Sequence, residues 1–236
     1  MAIKDVNLNA LQIVNEVQLR LGINETSTLT STKNSKMLMN LLNDVIAEVS
    51  DFGDWPQMFT EVKVTASASV GIYEITASSP VKNIFEIAWG DDTASMEVRT
   101  IEDLRRLQRL ASFGTPRQFA IVGVSGDNPL FRTYPIPNQT TIDAQASKGG
   151  VFDCAIYVKP AILTSANAST TIDFPARMII QGLYAKALLE ESGSEPTPQF
   201  KTAYAEYIRM RQEALNRFTA DTGTDIYITP TGSRYA

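Results

Sequence analysis

The change in apolar spacing within the first quarter of the chain constrains the fold most. Residues 31–52 carry apolar side chains at steps of three and four, which predicts a helix with one wide apolar face. Gly53 is expected to end this helix in the left-handed conformation, and Pro56 prevents its continuation. Beyond it the apolar side chains alternate, which indicates strands. We therefore predict a domain junction formed by Phe52, Trp55 and Pro56.

Further helices are predicted on both sides of the strand-rich region. Residues 7–21 have apolar side chains at helical spacing, and either Asn7 or Asn9 is a suitable cap. Residues 173–192 and 197–218 show the same spacing after the strands. Two helices before the strands and two after them are typical of one helical domain that an insertion interrupts.

The middle of the chain contains short strands separated by turn residues. Residues 58–90 alternate in polarity over three short runs, which predicts a β-meander. Residues 117–158 contain four further runs, and the last two of these are 140–146 and 151–158. Regular short strands of this kind are typical of a sandwich or a small barrel. A helix predicted at residues 100–113 interrupts the strands.

These elements predict an α+β fold, an antiparallel helical bundle with an inserted antiparallel β-sandwich or small barrel. Residues 1–57 and 161–220 are then the two halves of the bundle. Residues 58–160 form the inserted β-domain, which includes the helix at 100–113. Residues 221–236 have neither helical nor strand periodicity over their length, so we expect an extended C-terminal tail.

Arg105, Arg106 and Arg109 lie toward the end of the helix predicted at residues 100–113. Cations are favourable there because they interact with the negative end of the helix dipole. The cluster is a candidate channel or interface surface that would contact nucleic acid or an acidic partner. A solvated helix face explains the same pattern, and the sequence leaves both interpretations open.

The composition argues against catalytic and metal chemistry. The 236 residues include no histidine and one cysteine, Cys154. The lack of histidine excludes His-dependent triads and imidazole metal sites. Cys154 falls on the apolar face of its strand, so we expect a buried small side chain rather than a reactive thiol. We therefore expect a protein that is not an enzyme and that binds no cofactor.

Charge and hydropathy narrow the class of partner. The chain has 26 acidic and 21 basic residues and a formal net charge of −5, which argues against a surface devoted to binding nucleic acid. It does not argue against a pore through which nucleic acid passes. The first residues are too polar for a signal peptide, and no window approaches the roughly 18 apolar residues of a membrane span. We expect a soluble protein of cytoplasmic origin with no membrane partner.

The order of elements resembles that of the head-to-tail adaptor proteins of tailed bacteriophages, which are also called tail tubular protein A or head-completion proteins. The residues that carry the likeness are 41–59, 173–189 and 200–218, and Trp55-Pro56 is the sharpest motif among them. The resemblance implies a homo-oligomeric ring of twelve subunits in the neck of the virion, assembled in the host cytoplasm. The ring would bind the portal protein, extend the DNA channel without specific DNA binding, and dock the next tail or nozzle component.

The resemblance also implies a role for the C-terminal tail, because adaptor tails of this kind lie against the portal. The candidate portal-binding residues are Ile226, Tyr227, Ile228 and Tyr235. A frayed terminus without a partner is the alternative for this segment. For the whole chain the alternatives are another neck or minor tail component, and a virion-associated cell-wall hydrolase.

Overall fold

The computed structural model describes residues 8–90, 95–108, 112–145 and 150–222. The chain divides into two compact units, Met1–Gln57 with Pro160–Ala236 and Met58–Lys159. Within the described residues it has an α+β fold with six α-helices and two sheets. In chain order the helices and strands are α1 (Ala10–Arg20), α2 (Lys33–Phe52), β1 (Phe59–Thr65), β2 (Ile72–Glu74), β3 (Val81–Trp89), β4 (Glu97–Val98), α3 (Ile101–Gln108), β5 (Gln118–Ser125), β6 (Asn128–Tyr134), α4 (Gln139–Asp143), β7 (Val151–Val158), α5 (Ala176–Glu191) and α6 (Pro198–Thr222).

Helix α5 is the centre of the first unit, which we call the helical unit. It contacts α1, α2 and α6, and apolar side chains are buried on almost every side of it. A helix that is apolar all round belongs in a protein core, whereas α2 has one buried stripe and an exposed polar face. The helical unit is therefore built around α5, although α2 has the clearer pattern in the sequence.

Local capping determines where α1 and α2 begin. Asn9 caps the N-terminus of α1 and Thr32 caps that of α2. Each of these N-termini has the reciprocal hydrogen bonds of a capping box. The expectation of a left-handed Gly53 is wrong, because its φ of −165° is extended backbone. A Cβ at Gly53 would lie 2.9 Å from Cδ2 of Leu215. Position 53 thus favours glycine because α6 packs closely against it, not because the backbone has a positive φ.

The second unit, which we call the β unit, contains two sheets. One has the order β1-β7-β3 with antiparallel neighbours, and the other has the order β2-β6-β5-β4, in which only β4 and β5 are parallel. Side chains of both sheets enter one common core, whose buried aromatic members are Tyr73, Trp89, Phe119, Phe131 and Phe152. The two sheets therefore lie on either side of this core.

The pairing corrects the predicted β-meander at residues 58–90. β1 and β3 both pair with β7, which follows much later in the chain, and β2 belongs to the other sheet.

The strand predicted at 140–146 is also wrong. Asn138 caps a short helix there, and its side chain accepts a hydrogen bond from the Thr141 backbone N–H. Capping outweighs the strand preference of the β-branched residues in this segment.

The helix predicted at 100–113 is shorter than expected. α3 ends at Gln108 in the described residues, and Phe113 forms an isolated parallel bridge with Ile136. Its start was predicted correctly, since the Thr100 hydroxyl accepts a hydrogen bond from the Asp103 N–H and donates one to the Asp103 carboxylate. None of the helices in the described part of the chain is both long and apolar enough to cross a membrane.

Candidate functional site

The predicted junction residue Trp55 is fully buried within the helical unit. Its indole Nε1 donates a 2.7 Å hydrogen bond to the backbone carbonyl of Val49. Its ring meets that of Phe174 edge-on, with 5.5 Å between the centroids. Pro56 is exposed and begins a single 3₁₀ turn, Pro56–Met58. The described contacts of Trp55 therefore stabilise the end of α2 and the segment that leads into α5.

Phe52, the third predicted junction residue, belongs to a charged cluster that joins three helices. The Arg211 guanidinium lies 4.0 Å from the centroid of the Phe52 ring. Its Nη1 donates a 2.7 Å hydrogen bond to Glu48, whose other carboxylate oxygen is 3.2 Å from Lys186 Nζ. Burial, reinforced by the Glu48 carboxylate and opposed by Arg211, raises the pKa of the neighbouring Tyr207 phenol. This cluster fastens α2 to α5 and α6, which is a structural role.

The arginines of α3 lie on the outside of the β unit. Arg105 and Arg106 are exposed, and neither forms an ion pair with another described residue. Arg109 lies outside the described residues. Leu104, on the opposite side of the helix, is buried. Among the described residues, nothing pairs with these two guanidinium groups, so they are candidates for binding a partner.

The topology determines which face of the sheet α3 covers. β4 and β5 are parallel neighbours, and the connection between them contains α3. A crossover of this kind must place its helix on one face of the sheet. The inner face is filled by core side chains such as Phe119, whereas Ala120 points away from the core and is still fully buried. Helix α3, which contacts β5 and β6, therefore covers the outer face.

An exposed aromatic cluster lies on the outer face of the other sheet. The ring centroids of Phe59, Phe85 and Tyr157 are 5.6–6.4 Å apart. Phe59 is 41% exposed and Phe85 is 63% exposed. Phe59 and Tyr157 are opposite each other in register, and a shift in the pairing of β3 next to Phe85 marks a bulge. Bulges redirect side chains, and here the redirected side chain joins an aromatic cluster.

Carboxylates lie beside the aromatic cluster. Glu61 of β1 and Glu86 of β3 are both opposite Ala155 of β7, so the two acidic side chains flank one small residue. The Glu86 carboxylate accepts a hydrogen bond from the Ser95 hydroxyl. One row further along, Lys63 is opposite Asp153. The surface combines apolar rings with the carboxylates of Glu61 and Glu86, which suits a partner that has both apolar and basic groups.

The comparison with protein families decides the class of the chain. A model described as SU10 adaptor protein matches residues 8–234. The chain belongs to the SU10 adaptor protein family. This is a phage head-to-tail adaptor family, so the resemblance found in the sequence is confirmed at the level of the family. A search of curated proteins returns no match.

Membership of the adaptor family identifies the protein as a structural component. Two features of its side chains bear on metal binding and on thiol chemistry. Within the described ranges no group of three or more His, Cys, Asp or Glu side chains is arranged to hold a metal ion. Cys154 is buried, as predicted. Burial, with a smaller contribution from the Asp153 carboxylate, raises the pKa of the Cys154 thiol to about 12, and a thiol in this state is unreactive.

The predicted site residues of this adaptor belong to different units or lie outside the described residues. Phe52 and Trp55 are internal to the helical unit, and Arg105 and Arg106 are on the surface of the β unit. The predicted portal-binding residues lie outside the described residues; they are Ile226, Tyr227, Ile228 and Tyr235. Sequence reasoning missed the cluster of Phe59, Phe85 and Tyr157. The sequence feature that could have revealed this cluster is an aromatic residue on the solvent face of each of two alternating strands.

Proposed function

We propose that this adaptor is the subunit of a homo-oligomeric ring, with twelve copies, that joins the portal to the tail in the virion neck. The ring extends the DNA channel, lets DNA pass without specific binding, and provides the docking platform for the next tail or nozzle component. The observation that carries the proposal is the adaptor family match, which spans residues 8–234 and so includes segments of both compact units. In this proposal the ring is a structural part of the virion and has no enzymatic role.

The two units are expected to have different roles in this ring. We propose that residues 1–57 and 161–220 form an antiparallel helical bundle and that residues 58–160 form an inserted β-sandwich. Within the helical unit, α5 is enclosed by its neighbours and Glu48 links α2 to Lys186 and Arg211. We expect such a unit to be rigid, which suits a part that connects the head to the tail. The β unit presents the exposed aromatic and charged surfaces.

We assign the portal contact to the tail at residues 221–236. Ile226, Tyr227 and Ile228 combine strand preference with apolar side chains, and Tyr235 adds a terminal aromatic group. A segment of this kind can join the edge of a partner sheet or enter a groove, where it gains main-chain hydrogen bonds and side-chain pockets. The portal ring of the same phage is the proposed acceptor.

Portal binding by the full chain and by a variant ending at Thr222 tests this assignment. We expect the full chain to form rings on purified portal that are visible by electron microscopy. The shortened chain should keep its melting temperature and lose most portal binding, and Ile226→Asp with Ile228→Asp should have the same effect. Val124→Asp, at a site 70% exposed in the β unit, is the control for an added surface charge. Equal portal binding by the full and shortened chains would show that the tail is not the contact.

A further inference from the structure

Two surfaces with complementary chemistry lie on opposite sides of the β unit. The first, the acidic aromatic face, consists of Phe59, Phe85, Tyr157, Glu61 and Glu86 on the outer side of the β1-β7-β3 sheet. The second, the arginine pair, consists of Arg105 and Arg106 on α3, outside the other sheet. The common core lies between the two sheets.

The groups on these surfaces suit each other. A guanidinium plane stacks on an exposed aromatic ring, and it also forms charge-assisted hydrogen bonds to carboxylates. The acidic aromatic face offers both kinds of acceptor side by side, because Glu61 and Glu86 adjoin the row that contains Phe59 and Tyr157. Arg105 and Arg106 have no ion-pair partner among the described residues.

One chain cannot bring these surfaces together, because the core of the β unit separates them. We propose that a second copy of this chain docks its arginine pair onto the acidic aromatic face of the first. The contact is heterologous, since each copy uses two different surfaces, and repetition of it generates a ring or an open filament. This inference rests on the proposed ring and names the surfaces through which its neighbours meet.

The chain itself supplies the reason to choose a second copy over another protein. Each copy carries one acidic aromatic face and one arginine pair, so the same pair of surfaces satisfies every contact in a closed ring. Aromatic rings and arginines are also the residues that most often dominate binding energy at interfaces. The exposed rings of Phe59 and Phe85 would be covered by this contact.

Disulfide trapping in the full-length chain tests the contact without the portal. Lys63→Cys chains and differently tagged Glu102→Cys chains, whose exposed sites adjoin the two surfaces, are mixed at high concentration and oxidised gently. The native Cys154 is buried and does not compete. We expect the mixed dimer to exceed, by at least about fivefold, the dimer formed between Lys63→Cys and the control Val124→Cys, because a specific contact raises the local concentration of the two thiols. Equal yields would overturn the inference.

Charge reversal provides a second, independent measurement. Arg105→Glu with Arg106→Glu should weaken self-association more than about tenfold in sedimentation experiments, since like charges then face each other. Glu61→Arg with Glu86→Arg should do the same, and the chain carrying all four substitutions should recover much of the association. Circular dichroism checks that each variant is folded. Failure of the combined chain to associate better than either parent variant would contradict the pairing.

The inference and the proposed function can fail separately. Ring formation on the portal with no trapping and no response to charge reversal would overturn this interface and leave the adaptor ring intact. Specific trapping and charge-reversal rescue without any portal binding would support this interface and overturn the portal assignment.

Discussion

The indole nitrogen of Trp55 donates a 2.7 Å hydrogen bond to the backbone carbonyl of Val49. Val49 lies in the last turn of α2, where the internal hydrogen bonds of a helix come to an end. A carbonyl oxygen has two lone pairs, so the indole supplies a further donor at this position. Trp55 thereby joins the end of a helix to the chain that leaves it.

Substitution of Trp55 separates this hydrogen bond from the packing of the ring. Trp55→Phe keeps an aromatic side chain beside Phe174 and removes the donor, so we expect a loss of about 1–3 kcal/mol in the free energy of unfolding. Trp55→Ala also leaves a cavity and should cost about 3–5 kcal/mol. Urea unfolding followed by circular dichroism measures both. A Trp55→Ala chain as stable as the parent would rule out this role.

Gly182 lets three helices approach each other. A Cβ at this position would lie 2.8 Å from Cε2 of Tyr207 on α6 and 3.0 Å from Cγ1 of Val45 on α2. Gly→Ala in a helix ordinarily stabilises by roughly 0.5–1 kcal/mol, but here we expect a loss of about 1–3 kcal/mol because the site is overpacked. Gly123→Ala, where a Cβ would meet nothing within 4 Å, is the control. A gain in melting temperature for Gly182→Ala would contradict the packing.

Glu48 and Glu213 provide a matched pair of acidic residues. Each is bonded to an arginine, Glu48 to Arg211 at 2.7 Å and Glu213 to Arg209 at 2.6 Å. The Arg211 side chain is 12% exposed and the Arg209 side chain is 60% exposed. Glu48→Ala should cost about 1–3 kcal/mol, because it leaves a mostly buried cation without its partner. Glu213→Ala should cost less than about 0.5 kcal/mol. Equal losses in denaturant unfolding would show that burial does not distinguish the pairs.

The buried thiol of Cys154 predicts a loss of stability at alkaline pH. Burial, and then the Asp153 carboxylate, raise its pKa from 9.0 to about 12. The unfolded chain therefore releases this proton at lower pH than the folded chain does. The stabilising contribution is complete below pH 9.0 and is lost as the pH rises toward about 12. Cys154→Val should show a shallower decline in melting temperature across this range. Identical profiles for the two chains would contradict the prediction.

The free protein should bind duplex DNA weakly at physiological salt. Its net charge of −5 opposes association with phosphate, and the proposed DNA channel would not require tight binding. Fluorescence anisotropy should show an affinity that falls steeply as salt rises. Arg105→Glu with Arg106→Glu should change this affinity little. Submicromolar binding that persists at high salt would instead make the arginine pair a DNA-binding site.

Elements that depend on neighbours along the chain were predictable from the sequence. Asn9, one of the two candidate caps of α1, acts within one helical turn, so the residues near the helix start reveal it. The strand β7 begins and ends where predicted, because alternation of polar and apolar residues is a local pattern. The likeness to the adaptor family was inferred from the order of predicted elements, and the family model that matches residues 8–234 confirms the family.

Pairing and close packing were decided only by the tertiary structure. Alternation shows that β1 and β3 are strands, but it carries no information that both pair with β7. Gly53 looks like a helix stop, and only the position of Leu215 shows that space is the reason for glycine. Phe59, Phe85 and Tyr157 meet on one face because strand register and a bulge bring distant residues together. Contacts between residues far apart in the chain depend on the whole fold, which no local pattern specifies.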